Sequence, residues 1–256
     1  MNIDKVRSEF RHELRHVVWE GEVVERLASV TRRSSANGQL NWVTAFELEA
    51  DTADCVIQEE IAHYQTLGKE FEWKAFSFDS PPDLVDRLRA HGLSVGDREA
   101  IVVYDLTKGL TPFDGPFPCE VKRILTKDQL ADFRQVAETV FKKDYALTTN
   151  QLAEALRTGR KGHDAYIAYV DGVPSAIGRM YTDPQSAFAG LDGGGTRKEY
   201  RSRGCYRAIT AERAKDAVLL GARYLQVDAL PTSLPILLRL GFAHLADTWP
   251  CAMVNE

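Results

Sequence analysis

The stretch from Thr196 to Gly221 constrains the fold of this chain more than any other. It opens with a basic loop, Arg197 to Arg203, which carries four cationic side chains in seven residues. Gly204 follows, and small residues recurring every three positions predict a helix over about Cys205–Leu220. Gly221 is placed to end that helix as a C′ residue. The small-residue face predicts a helix that packs closely on a sheet.

Arginines and a glycine at a helix N-terminus are typical of an anion site. The first-turn N–H groups have no partners within a helix, the helix dipole adds partial positive charge, and glycine allows close approach to the main chain. The natural ligand is a phosphate or pyrophosphate. A solvated basic turn before an amphipathic helix explains the same residues, and both interpretations stay open at this point.

Composition narrows the class of protein. The chain has 256 residues, 44% of them hydrophobic, enough for one large domain or two ordinary ones. Its formal charge of −5 argues against a protein that coats nucleic acid. No apolar run is long enough for a membrane span, and the first residues lack the apolar core of a signal peptide. Four scattered cysteines without a CxxC pattern predict reduced thiols and a cytoplasmic protein.

The first half predicts a small αβ domain, residues 1–110. The expected elements are a helix over 2–19 continued through 20–33, a turn at Asn37-Gly38, strands over 39–48, 70–78 and 99–106, a helix over 53–67, and a short helix from Pro81-Pro82 to Gly92. Residues 107–118, with three prolines and two glycines, predict a linker between domains.

The first helix contains a match to the zinc-protease pattern H-E-x-x-H at His12–His16. At about 100° per residue, both imidazoles point away from the apolar stripe of this helix and toward water. Arg11 and Arg15 add positive charge, and no third ligand is evident. We therefore expect no metal site here, and a zinc hydrolase is the least favoured function.

The second half, residues 119–256, predicts a larger domain with mixed rather than alternating order. The expected elements are a strand over 119–125, a helix capped by Thr126 and Gln129, a helix capped around Thr148–Gln151 and ending at Gly159, a hairpin turning at Asp171-Gly172, a strand from Ser186 into Thr196, the helix over 205–220, a strand over 224–229, a short helix over 233–240, and a last strand to about Val254. The predicted fold class is α/β with a mixed α+β sheet.

The two halves of the sequence predict a similar order of helices and strands. In each, a helix ends at a glycine (Gly68, Gly221) and is followed by a strand, a short helix ending at a second glycine (Gly92, Gly241), and another strand. The helix starts differ, because Asp51 and Asp54 stand where the second half has arginines. This pattern suggests a duplicated protein in which only the second half binds an anion. Two unrelated αβ pieces are the alternative.

The second half resembles the GNAT superfamily of acyl-CoA N-acyltransferases over about 119–254. The resemblance rests on Arg201-Ser-Arg-Gly204-Cys-Tyr206 before the long helix, the Gly221 stop, the strand YLQVDA and the LLRLGF ending of the short helix. The family loop reads Arg/Gln-x-x-Gly-x-Gly/Ala, and Tyr206 replaces its last small residue. The stretch FEWKAFSFDSPPDL is similar to the leading domain of two-domain bacterial members, which makes a degenerate first GNAT half an expectation.

The resemblance implies acetyl-CoA as co-substrate and no metal. Main-chain N–H groups from about Ser202 to Arg207 would hold the pyrophosphate, and the strand ending at Thr196 would pair with the pantetheine arm. The implied binding residues are Gly194, Gly195, Thr196, Arg201, Ser202, Arg203, Gly204, Cys205, Tyr206 and Arg207.

The implied chemistry is direct transfer of an acetyl group to a primary amine of a small molecule or peptide, with no nucleic-acid or membrane partner. The family's usual acid, a tyrosine, falls at Leu237, which cannot give a proton. Tyr206 is a candidate acid, and the candidate bases are Asp192, Glu199 and Asp228. His163 and His244 are interpreted as structural or exposed. A CoA-binding sensor without activity is the alternative function. The acceptor and the oligomeric state cannot be inferred from these residues.

Overall fold

The computed structural model describes residues 1–35 and 38–253. The chain forms two compact units. The first contains Met1–Val102, Asp228–Ile236 and the chain from Ala243 onward, and the second contains Val103–Val227 and Leu237–Phe242. The units are therefore not two successive stretches of chain. The sequential division into 1–110 and 119–256 stays a prediction.

The first unit combines helices with a mixed sheet. Its elements are α1 (Ile3–His16), β1 (Glu22–Arg26), β2 (Val30–Ser35), β3 (Asn41–Ala45), α2 (Ala53–Thr66), β4 (Phe71–Phe76), α3 (Leu84–Ala90), β5 (Ser94–Val95), the start of β6 (Glu99–Asp105) and β12 (Ala243–Met253). The strand order is β1-β2-β3-β4-β12, and β5 pairs with β12. The β3–β4 pair is parallel, and the pairs β1–β2, β2–β3 and β4–β12 are antiparallel.

The two faces of this sheet bury different side chains. Val43, Trp73 and Ile57 belong to the apolar core between the sheet and α2 and α3. On the opposite face α1 packs its Phe10 edge-on against Phe76, with ring centroids 5.9 Å apart. The alternation follows from the two-residue period of a strand. As a result, α1 covers one face of the first unit's sheet.

The second unit contains the predicted helix and its loop. Its elements are β7 (Glu120–Arg123), α4 (Lys127–Phe141), α5 (Ala146–Thr158), β8 (His163–Val170), β9 (Val173–Tyr181), β10 (Phe188–Thr196), α6 (Cys205–Leu219) and most of β11 (Tyr224–Ala229); the unit boundary also crosses α7 (Leu234–Arg239). The strand order is β11-β10-β9-β8-β7. The β10–β11 pair is parallel and the other pairs are antiparallel. The predicted mixed α+β fold class is confirmed.

Local signals in the second half predicted its elements well. Thr126 and Gln129 form the predicted capping box at the start of α4. Asp171 and Gly172 both have positive φ, 50° and 77°, as a two-residue hairpin turn of type I′ requires. The alanines at 208, 211, 214 and 217 are at most 1% exposed, so the small face of α6 is buried as expected.

The helix expected over 20–33 is wrong. The chain leaves helical geometry at Val17 and forms β1 and β2 instead. Two arginines of these strands bind the last carbonyls of α1: Arg33 Nη2 donates to Val17 O at 2.7 Å, and Arg26 Nε donates to Arg15 O at 2.8 Å. These contacts satisfy the carbonyls that a helix end leaves open, and they depend on tertiary structure rather than on local propensity.

Three smaller expectations need correction. Thr148–Gln151 does not cap α5, which begins at Ala146, where Asp144 accepts a hydrogen bond from the Ala146 N–H at 2.8 Å. Strand β5 was not predicted. Residues 107–118 form two short 3-10 turns with the buried Phe113 packed against Tyr104, so this stretch is part of the second unit. The predicted turn residue Asn37 and the expected strand end at Val254 lie outside the described residues.

Candidate functional site

The start of α6 presents a run of main-chain N–H groups. Gly204 is its N-cap residue at φ 86°, Ser202 has φ 61°, and no side chain caps the helix. The first main-chain bond into the helix is from Ala208 N to Gly204 O, at 2.9 Å. Within the described chain, the N–H groups from Ser202 to Arg207 have no acceptor. Six consecutive free donors at a helix N-terminus can surround an anion.

Three arginines flank these donors without a carboxylate partner. Arg201 Nε donates to Thr196 O at 3.2 Å. Arg203 lies over the ring of Tyr200 at 5.5 Å, and Arg207 lies over the ring of Phe117 at 5.8 Å. None of the three forms an ion pair in the part of the chain that the structure describes. Uncompensated guanidinium groups beside free N–H donors favour a multiply charged anion such as a diphosphate.

The strand before the loop carries a bulge at its glycines. β10 pairs with β11 only from Phe188 to Leu191, and its register with β9 shifts between Asp192 and Gly195. Gly195 lies under α4, and Thr196 has a buried hydroxyl without a hydrogen-bond partner in the described residues. The last residues of β10 are therefore not paired with β11. One edge of the β10 main chain is free of β11 at this point.

Tyr206 occupies the space beside the bulge. A Cβ on Gly194 would lie 2.9 Å from Cε2 of Tyr206, so only glycine allows this ring position. Burial raises the pKa of Tyr206, which keeps the phenol protonated at neutral pH. No hydrogen bond to its hydroxyl is seen among the described residues. Of the predicted site residues, Gly194 and Tyr206 are thus brought into contact.

The three candidate bases are all engaged in ion pairs. Asp192 binds Arg179 on the neighbouring strand. Glu199 binds Arg197 at 2.8 Å, and a hydrogen bond from its own main-chain N–H, with Arg197 beside it, holds the pKa of Glu199 below its usual range. Asp228 belongs to the first unit and binds Lys74 there. The structure places Asp192 in the bulge and Glu199 in the loop.

The leucine at the family's acid position and four histidines complete the residues that the sequence analysis singled out. Leu237 is 0% exposed and offers no proton. His163 packs edge-on against Tyr181, and His244 is half exposed beside Asp247 at 2.8 Å. His12 and His16 are exposed on α1. Among residues 1–35 and 38–253, no group of three or more His, Cys, Asp or Glu side chains could hold a metal.

Sequence reasoning missed Arg213, a buried arginine in α6. It is 1% exposed, and its Nη1 donates to Arg179 O at 3.0 Å. Burial lowers the pKa of Arg213. A Cβ on Gly178 would lie 3.0 Å from Cζ of Arg213, so that glycine makes room for the guanidinium. Its position four residues before Ala217, on the buried face, was the available signal.

The four cysteines are not joined by disulfides. In addition, none of the described helices combines the length and the apolar character needed to cross a bilayer.

Comparison of the fold with solved structures identifies its class. A GCN5-related N-acetyltransferase from Kribbella flavida superposes with a TM-score of 0.71 at 15% identity, covering 100% of this chain and 96% of that one. The chain has the GNAT fold.

Two further solved structures extend the likeness. A functionally unknown conserved protein from Staphylococcus epidermidis ATCC 12228 matches with a TM-score of 0.68 at 14% identity, covering 94% of this chain and 96% of that one. A tandem GNAT protein from the clavulanic acid biosynthesis pathway matches with a TM-score of 0.55 at 14% identity, covering 100% and 89%. No family model and no curated protein matches the sequence. The resemblance predicted from the loop and helix is therefore confirmed at the level of fold.

Proposed function

We propose that this GNAT-fold protein is an N-acetyltransferase that moves an acetyl group from acetyl-CoA to a primary amine. The observation that carries the proposal is the run of six main-chain N–H groups from Ser202 to Arg207, which have no acceptor among the described residues. Arg201, Arg203 and Arg207 accompany them and form no ion pair with any described residue. A diphosphate satisfies both sets of donors at once. The fold likeness supports this assignment.

The end of β10 suits the rest of the co-substrate. Because β10 leaves β11 after Leu191, its main chain from Asp192 to Thr196 has an edge that β11 does not use. An amide-bearing pantetheine arm can pair with such an edge as an added strand. A main-chain N–H at this position can also stabilise the oxyanion that forms when an amine attacks the thioester.

Proton transfer in this proposal rests on few groups. Tyr206 is the favoured acid for the departing thiolate, because its ring lies beside the β10 bulge and its hydroxyl has no hydrogen bond in the described residues. Asp192 is the favoured base, because it lies in the β10 bulge. Glu199 is a weaker base, because its pKa is lowered.

Calorimetric titration with acetyl-CoA tests the binding step. We expect saturable binding that the double substitution Arg201→Glu/Arg203→Glu weakens by about 100-fold, since each lost charge-assisted contact is worth about 1.5 kcal/mol or more. The matched control is Arg89→Glu/Arg98→Glu, which makes the same charge change at exposed arginines of the first unit. Equal affinities of the two double variants would contradict the proposal.

A CoA-binding sensor without turnover is the second candidate. The observations that favour it are the buried Leu237 at the family's acid position and the ion pairs of all three candidate bases. Release of CoA thiol, followed across a panel of amines, separates the two functions. Turnover of any amine excludes the sensor, whereas tight binding without thiol release across the panel supports it.

A further inference from the structure

A polar cleft lies within the first unit. It is partly open to solvent. Its walls come from α1, β2, β3 and the segment after β4, and they include Arg11, Arg15, Thr31, Thr44, Phe46 and Phe78. None of these residues belongs to the acetyl-CoA site proposed above.

The cleft lies at the carboxyl ends of a parallel strand pair. β3 and β4 pair only where Trp42 and Val43 meet Glu72 and Trp73. Thr44 lies in β3 just after this pairing, Phe46 follows the end of β3, and Phe78 follows the end of β4. In α/β sheets, ligands bind in the crevice beyond the carboxyl ends of such strands.

Two arginines give the cleft its charge. Arg11 and Arg15 are one turn apart on α1, so their side chains lie on the same face. The guanidinium of Arg15 stacks 3.6 Å from the ring centroid of Phe46, and that of Arg11 lies 5.2 Å from that of Phe78. A guanidinium that covers a ring still presents its N–H edge. In the described chain no carboxylate lies within 4.0 Å of either guanidinium.

The Arg15 side chain is held in place by the unit itself. Its Nη2 donates to Leu27 O at 2.9 Å, and its Nη1 donates to the Thr31 hydroxyl at 3.4 Å. Burial lowers the pKa of Arg15, while the nearby Glu47 raises it and Arg26 lowers it further. A partly buried cation that is fixed but not neutralised gains by binding an anion.

Two threonines form the polar floor of the cleft. Thr31 and Thr44 lie opposite each other in the β2–β3 register and are 0% and 4% exposed. The hydroxyl of Thr44 has no hydrogen-bond partner among the described residues. A buried hydroxyl beside two cations can donate to the same anion.

We propose that this cleft binds a small organic or inorganic oxyanion, a carboxylate or a phosphate, between Arg11 and Arg15. The floor threonine Thr44 supplies a further donor. The ligand is a small oxyanion rather than a second CoA, because the start of α2 carries Asp51 and Asp54 where a diphosphate needs positive charge. The first unit is then a ligand-binding unit in its own right.

Ligand-observed NMR titration with benzoate and with inorganic phosphate tests the proposal. The full chain carries Arg201→Glu/Arg203→Glu so that phosphate does not bind at the start of α6. We expect saturable binding of at least one probe at millimolar concentration, weakened about 10-fold by Arg11→Gln. Among the described residues Arg11 covers the ring of Phe78 and lies close enough to Asp79 to offset part of the rise that burial causes in the pKa of that carboxyl, but it forms no hydrogen bond or ion pair. The Arg11→Gln variant should therefore fold, as circular dichroism will verify. The more tightly bound probe identifies the headgroup.

Two further variants complete the experiment. Arg89→Gln, an exposed arginine on α3, should leave binding unchanged. Thr44→Val keeps size and charge and should weaken binding several-fold by removing one donor. If neither probe binds, or if Arg11→Gln and Arg89→Gln bind equally well, the proposal is wrong. That result leaves the acetyl-CoA proposal untouched, because its probe and its variants are different.

Discussion

Tyr206 shows how a single residue connects packing with chemistry. Its ring rests on Gly194, where any side chain would collide with it. Burial raises the pKa of the Tyr206 hydroxyl, and no hydrogen bond to it is seen in the described residues. The phenol is therefore a protonated donor without an acceptor in the described part of the chain. Since Leu237 cannot serve, Tyr206 is the residue on which proton delivery depends in our proposal.

Tyr206→Phe tests this role because it keeps the ring and removes the proton. We expect kcat to fall by about 100-fold, the lower range for loss of a general acid, while the KM for acetyl-CoA changes little. Steady-state kinetics over a range of pH measures both values. The decline of wild-type activity at high pH that reports the phenol should be absent in the variant.

Tyr200→Phe is the control for this experiment. Tyr200 lies in the same loop and contacts Arg197 and Arg203 through its ring, which phenylalanine retains. Its kinetics should match those of the wild type. A Tyr206→Phe variant with normal kcat would assign Tyr206 to packing alone.

At the scale of the element, the path of β10 depends on its glycines. Its three consecutive glycines meet different requirements: Gly193 has φ 58°, Gly194 makes room for Tyr206, and Gly195 makes room for α4. A Cβ on Gly195 would lie 2.9 Å from Cγ1 of Val140 and 3.0 Å from Cζ of Phe141. The close approach of α4 to the bulge thus depends on Gly195.

Gly195→Ala is expected to destabilise the protein by about 1–3 kcal/mol, the usual cost of overpacking. Urea unfolding followed by circular dichroism measures the change. Gly190→Ala is the control on the same strand, because its nearest neighbour would be Gln226 Oε1 at 3.6 Å, an ordinary contact. Equal free energies of unfolding for the two variants would show that α4 shifts to make room for the added methyl group without loss of stability.

Elements with local signals could be predicted, and those fixed by distant contacts could not. The capping box of α4 and the Asp171-Gly172 turn are encoded within a few residues. Strands β1 and β2 form where a helix was expected, since Arg26 and Arg33 bind carbonyls of α1. The loop proposed to bind an anion could be recognised as a candidate because its residues are contiguous in the sequence. The pairing of Arg179 with Asp192 joins two strands and left no comparable pattern.

At the scale of the whole molecule, each of the two units is built from segments that are separated in the sequence. β12, the last strand, pairs with β4 inside the first unit, from Thr248 opposite Phe76 to Met253 opposite Phe71. Phe242 packs in the second unit against Tyr104 and Phe113, which precede the predicted boundary at residue 119. Neither unit is complete in a continuous half of the chain.

A fragment of residues 119–256 is therefore expected not to fold by itself. It lacks the β4 partner of β12 and the aromatic partners of Phe242. Differential scanning calorimetry should show a cooperative transition for the full chain and none for the fragment. A cooperative transition in the fragment would instead support the sequential division into domains.

The loop before α6 also has a consequence for how such proteins diverge. The six donors of this loop and of the first turn of α6, which have no acceptor in the described chain, belong to the main chain, and every residue type except proline supplies the same group. Selection acting on this loop can preserve the path of the backbone while the side chains change. Proteins that bind the same ligand through main-chain groups can then lose recognisable sequence similarity while they keep the same backbone path. This is consistent with a fold that is shared with solved structures at 14–15% identity although no family model and no curated protein matches the sequence.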